Sequence, residues 1–181
     1  MKKVEPIRDK DKIEEMKTEL LKQSYRNYML FVIGINTGLR IGDILELKVE
    51  DVRNETHIEI KEQKTGKTKT FLINSKLKSD LDKYIKNMND WEYLFQSQKG
   101  DNKPISRVQA YRVLKKGADK VGLKKIGTHS LRKTFGYHHY KLHKDVALLQ
   151  DLFNHSAPSI TLDYIGINQD IMDKTIENFY L

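Results

Sequence analysis

Apolar residues recur at helical spacing over most of this chain. Ile13, Met16, Leu20 and Leu21, following Asp11, form one amphipathic stripe. Met29, Leu30, Val32 and Ile33 place a second helix at about 24 to 37, ending at Gly38, a residue that can take the left-handed conformation past a helix end. A short third helix is expected at about 42 to 47. The period then changes. His57-Ile-Glu-Ile-Lys-Glu-Gln alternates apolar and polar side chains, and Lys69-Thr-Phe-Leu-Ile follows a Lys64-Thr-Gly66-Lys turn, which predicts a β-hairpin with Lys64 at its tip. Helical spacing resumes at Ser75 (Leu77, Leu81, Tyr84, Ile85, Met88). It breaks at a loop from Asn89 to Ile105 holding the single Trp91, and returns after Ser106 (Val108, Val113, Leu114, Ala118). Two more helices are expected at about 129 to 142, capped by Thr128, and 145 to 153. After Pro158 a short connector carries Tyr164, and Asn168 caps a last amphipathic helix with Ile171, Met172, Ile176 and Phe179. The fold class is mainly α (α+β): a helical domain with one small antiparallel sheet.

With 181 residues and 38% hydrophobic content, residues 1–181 are expected to form a single domain around one core. There is no cysteine, which excludes disulfide scaffolds and cysteine-based zinc sites. No apolar run approaches the roughly 18 residues that span a bilayer, and no signal peptide precedes the polar start, so a soluble cytoplasmic protein without membrane contact is expected. The net charge of +8 is unevenly spread. Residues 99 to 144 hold thirteen Lys/Arg against Asp101 and Asp119, whereas residues 145 to 181 hold six acids against Lys174. A basic middle fits a polyanion bound over one face; on charge alone a lysine-rich solvated surface fits equally.

The chemistry concentrates between His129 and Tyr164. His129 and Arg132 lie three apart on one helix face, and with His155 and Tyr164 they can cage a phosphate: three donors and a nucleophile. Arg40, far upstream in Thr37-Gly38-Leu39-Arg40, follows a rigid helix end, and two guanidiniums hold a phosphate through paired, charge-assisted hydrogen bonds.

The motifs Thr-Gly-Leu-Arg-Ile-Gly-Asp-Ile-Leu (37 to 45), Lys-Thr-Gly-Lys (64 to 67), His129-Ser-Leu-Arg132-Lys-Thr-Phe and Leu152-Phe-Asn-His155-Ser, with Tyr164 nine residues on, resemble the catalytic domain of the tyrosine recombinases (phage integrases) in order and spacing. The resemblance implies Arg40 and Arg132 as phosphate clamps, Lys64 as general acid, His129 as base, His155 on the phosphate and Tyr164 as nucleophile, with Asp43 in support. It implies double-stranded DNA as substrate, no cofactor and no metal, and a homo-oligomer, a tetramer on DNA, joined through the C-terminal helix. It also implies that the N-terminal DNA-gripping domain common in relatives is absent. A topoisomerase of type IB with the same chemistry, and a non-catalytic DNA-binding regulator on the same scaffold, are the alternatives. Two departures stand out: Gly42-Asp43 where many relatives have serine and glutamate, and Phe153-Asn154 where they have leucine and glycine.

Other features carry less. Lys67 at the hairpin, and Arg107, Gln109, Arg112, Lys115 and Lys116 on the helix after Ser106, are candidate DNA contacts; the alternative is a solvated face opposite Val108, Val113 and Leu114. Lys69 reads as a hairpin solubiliser. His139 and His143 have the spacing of a zinc pair, but no glutamate lies between them in the metalloprotease pattern, and they read as surface or DNA-facing residues. Gly66-Lys67-Thr68 is no nucleotide-binding loop, because Lys61 stands where that motif needs glycine.

Overall fold

The computed structural model describes residues 4–61, 66, 68–177 and 179–180. Its helices are α1 (Lys10–Gln23), α2 (Tyr25–Thr37), α3 (Ile41–Leu45), α4 (Ser75–Ile85), α5 (Arg107–Lys120), α6 (Thr128–His143), α7 (Val146–Phe153), α8 (Pro158–Ile165) and α9 (Ile167–Ile176). Strands β1 (His57–Lys61) and β2 (Thr68–Leu72) pair antiparallel, with Ile58 opposite Phe71 and Ile60 opposite Lys69. The mainly helical architecture with one small sheet follows the hydrophobic periods. No described helix is long and apolar enough to cross a membrane.

Helix α2 is the spine. Met29 to Gly34 are all buried, and a helix apolar all round has to be covered on every side. On one flank lie α3, the hairpin, α4 and the 89 to 105 loop, with Ile44, Ile58, Phe71, Leu81 and Phe95 in the core. On the other, α1 and α5 bury Met16, Leu20, Phe31 and Leu114. A smaller cluster of Tyr137, Leu149, Phe153, Ile165 and Ile167 holds α7, α8 and α9 to α6. The capping logic is local. Ser24 accepts from Asn27 N at the start of α2, Asn74 from Leu77 N at α4, and Ser106 with Gln109 closes a capping box on α5.

Four local expectations change. The cap of α6 is Gly127, not Thr128, and Ser130 closes that end by accepting from Gly127 N at 3.1 Å. Tyr164 rides on α8 rather than on a connector, because Pro158 starts a helix at its first position, where its missing N–H costs nothing. Helix α9 follows left-handed Gly166, so Asn168 lies inside it rather than capping it. On α5 the inner face is Ala110, Leu114, Gly117 and Ala118, while Val108 is 58% exposed. The apolar face is therefore rotated from the one expected.

The N-terminal segment is pinned across α6. Ile7 N donates to Thr134 Oγ1 at 2.8 Å, and Glu5 N donates to Lys125 O at 2.9 Å. Asp170 on α9 accepts from Arg8 Nε at 2.8 Å and from the Tyr137 hydroxyl at 2.7 Å, which fixes the start of α9 on its own chain.

Candidate active site

Close packing of α6 on α2 creates the site. A Cβ at Gly34 would lie 2.5 Å from Leu131 Cδ1, so glycine is what allows the two helices to approach this closely. The next residue, Arg132, thereby reaches the C-terminal end of α2. It is only 4% exposed; Nη1 donates to Gly38 O at 2.6 Å and Nη2 to Phe153 O at 3.0 Å. Its guanidinium also lies over the Phe153 ring, 4.2 Å from the centroid. One side chain thus joins the C-terminal ends of α2 and α7, where unsatisfied carbonyls and the helix dipole both favour a cation.

This bridge explains why distant segments converge. Gly38 takes a left-handed φ of 67°, and the chain leaves α2 to begin α3 with Arg40 at its N-cap. At the other end Asn154 is left-handed (φ 56°), and His155 N donates back to Gln150 O at 3.0 Å, a Schellman closure. Asn154 therefore fills the role that glycine has in many relatives, since asparagine is the side chain that best tolerates this conformation. The remaining carbonyls of α7 are also capped by a cation: Lys69 Nζ donates to Asp151 O and Leu152 O, each at 2.7 Å. Lys69 is consequently not a solubiliser. It sits in the inward phase of β2, two residues before buried Phe71, and ties the hairpin to α7. A lysine in the apolar phase of a strand was the signal that could have revealed it.

Tyr164 completes the cluster. Its ring meets His155 edge-on at 5.1 Å and Phe153 at 5.7 Å. Burial raises its phenol above its ordinary value, while the charges of Arg132 and Arg40 oppose that rise. His155 Nδ1 lies 3.0 Å from Oγ1 of fully buried Thr161. Burial first, then the charges of Arg132, Arg40 and Lys69, holds its imidazolium below the usual range. His129, at the surface end of α6, is lowered in the same way by partial burial of its ring and by Lys133, Arg132, Arg107 and Arg40. At neutral pH both rings are uncharged, so one can accept a proton and either can donate a hydrogen bond.

The charges of Arg40 and Arg132 thus act on His129, His155 and Tyr164 alike, which puts the five in one neighbourhood, with Asp43 buried in α3 near Arg40. Lys64 and Lys67 lie outside the described residues. Lys133 was missed: it is 6% exposed, and its Nζ lies 4.8 Å from the Tyr164 ring centroid. Nothing in the helical period marked it; only the unbroken burial from Ser130 to Thr134 sets it apart from a surface lysine.

The α5 candidates divide. Arg107 lies at the edge of the cluster, close enough for its charge to act on His129. Gln109 accepts from Ser106 N at 3.0 Å in the capping box. Arg112, Lys115 and Lys116 line a separate open basin with Tyr111, Asp119 and Lys120, and Lys115 pairs with Asp119. His139 and His143 pack ring to ring at 4.6 Å. Among the described residues no three His, Asp or Glu groups are arranged to hold a metal ion.

The family model described as the phage integrase family matches residues 8–170. The probable integrase/recombinase YoeC of Bacillus subtilis is 53% identical over 167 residues, covering 92% of this chain and 92% of that protein. The tyrosine recombinase XerA of Pyrococcus furiosus is 25% identical over 170 residues, 92% of this chain but 59% of the relative. In structure the chain is similar to a crystal structure of XerA recombinase (TM-score 0.74, 22% identity, 99% of this chain and 68% of that one). It is also similar to a lambda integrase(75-356) dimer bound to a COC' core site (TM-score 0.71, 19% identity, 91% of this chain and 60% of that one).

Proposed function

The chain belongs to the phage integrase family of tyrosine-type DNA recombinases, and on that premise we propose that it cuts and rejoins double-stranded DNA at specific sites through a 3′-phosphotyrosine on Tyr164. The observation that carries this reading is the half-enclosed Tyr164 side chain, its ring against His155 and within reach of the charges of Arg132 and Arg40.

A phosphodiester resists attack because its charge repels nucleophiles and its alkoxide leaves poorly. Arg40 and Arg132 hold the non-bridging oxygens and offset the charge that grows on them. Two of the five N–H donors of Arg132 are engaged by carbonyls, which fixes the guanidinium fork in advance of substrate binding. The phenol, raised by burial, is protonated at neutral pH, so attack needs a base; neutral His129 takes that proton. The Tyr164 oxygen bonds to phosphorus as the bond from phosphorus to the 5′ oxygen breaks. Lys64 supplies the proton to that leaving oxygen. With Nδ1 of His155 engaged by the Thr161 hydroxyl, Nε2 is the ring nitrogen left to meet phosphate. Attack by a 5′ hydroxyl reverses the step. The positive charge comes from the chain's own arginines, so neither metal nor ATP takes part.

We further propose that residues 1–181 act as one catalytic domain in the cytoplasm, where the DNA is, and that four copies assemble on paired sites through the C-terminal helix. Ile171, Met172, Ile176 and Phe179 are each at least 50% exposed on α9 and the tail beyond it, which supports docking on a second copy. Incubating the protein with a pool of randomised, nicked duplexes and recovering DNA that stays attached in denaturant tests the chemistry without knowledge of the site. The expected result is an adduct resistant to EDTA treatment and absent in Tyr164→Phe. An adduct that persists in Tyr164→Phe, or needs a divalent metal, overturns the reading.

A further inference from the structure

The departure at Gly42 has a physical counterpart. A Cβ built there would lie 2.4 Å from Arg107 Nη2, 3.1 Å from Cζ and 3.2 Å from Nε. The guanidinium of Arg107 therefore lies against α3 at Gly42, two residues beyond Arg40, in space that a side chain at position 42 would take from it. Arg107 is the first residue of α5, and the Ser106–Gln109 capping box holds that helix start in place. From there its charge reaches His129, in company with Arg40 and Arg132. The other candidate cations of α5, Arg112, Lys115 and Lys116, face a different basin.

We propose that Arg107, seated on Gly42, binds a DNA backbone phosphate at the Arg40–His129 edge of the site, next to the one being cut, and that Gly42 is the residue that sets this seat. Arg107 is then a positioning residue: it registers the strand against Tyr164 and does not touch the reacting atoms. A guanidinium backed by α3 is held in place before DNA arrives, so the contact costs little side-chain entropy. The proposal rests on the reading that this site acts on DNA. It adds a contact that the family's motif residues do not include.

A double-mutant cycle on Gly42 and Arg107 tests it, read by anisotropy of a fluorescein-labelled mixed-sequence duplex across a range of salt concentrations. Arg107→Ala is expected to lower the slope of log affinity against log salt by about 0.9, the loss of one neutralised phosphate. Arg107→Lys keeps the slope, because a point charge still neutralises a phosphate. Gly42→Ala favours helix in α3 and folds, but displaces the guanidinium. It is expected to lose affinity when Arg107 is present and to be silent in the Arg107→Ala background. A wild-type slope in Arg107→Ala, or an equal Gly42→Ala effect in both backgrounds, overturns the proposal while the DNA reading stands. A wild-type chain whose duplex binding ignores salt overturns the DNA reading itself, and the Arg107 contact with it. Thermal melts of all four proteins separate lost binding from lost fold.

Discussion

Arg132 holds the fold together, and this makes an unusual prediction for a residue proposed to act in catalysis. Residues kept for chemistry generally cost stability, so removing one is neutral or stabilising. Arg132→Met keeps the length and apolar stem but strands the carbonyls of Gly38 and Phe153, which the guanidinium now satisfies at 2.6 and 3.0 Å. An unsatisfied buried carbonyl costs about 1–3 kcal/mol, and the charge-assisted bonds that are lost lie at the strong end of the scale. Relief of burying a cation offsets part of this, leaving a net loss of about 2–4 kcal/mol. At about 2–4 °C per kcal/mol for a chain of this size, the Tm falls by about 5–15 °C. Arg132→Lys retains a charge, yet a single ammonium cannot span the two helix ends, so most of the loss persists. Tyr164→Phe, which keeps the ring and removes only the hydroxyl, costs no more than about 1 kcal/mol. Urea denaturation followed by circular dichroism, with the three variants side by side, provides the measurement. Arg132→Met within about 1 kcal/mol of wild type would refute the bridge between α2 and α7, and with it the account of how Arg40 and His155 come together.

Two further outcomes follow from the same geometry. Asn154→Gly is expected to be neutral or slightly stabilising, whereas Asn154→Val at the left-handed position costs about 1–2 kcal/mol, displaces His155 and lowers adduct yield; equal melting of the two variants would show that the left-handed turn is not required. Because burial and neighbouring cations depress His129 and His155 below 6.5, their contribution to stability is fully present above about pH 6.5 and is lost as the pH falls from there through the folded-state values. The acid limb of adduct formation should likewise have its midpoint below pH 6.5 and change in His129→Gln; a midpoint at or above 6.5, or an unchanged limb in that variant, rules out His129 as base.

The hydrophobic periods alone determined the mainly helical architecture and the hairpin, because burying an apolar stripe leaves a chain little choice of local structure. The order and spacing of the motifs named the six candidate residues. Local capping was less legible: Thr128 and Asn168 have the side chains of caps, but Gly127 and Gly166 supply the backbone conformations that α6 and α9 need, and backbone demand won. Tyr164 was expected on a connector because only eight residues separate it from His155, and a one-proline start signal was all that announced α8. What no reading of the chain could reach were the contacts made across long sequence distances. Arg132 binds a carbonyl 94 residues away, Lys69 caps a helix 82 and 83 residues away, and Lys133 lies against the face of Tyr164. These depend on where helix ends meet after packing, and a helix end advertises its own cap but not the distant cation that will satisfy its carbonyls. The candidate residues were thus named from the sequence; the meeting of the helices that carry them was decided by the close approach of α6 to α2 at Gly34 and by one guanidinium shared between two helix termini.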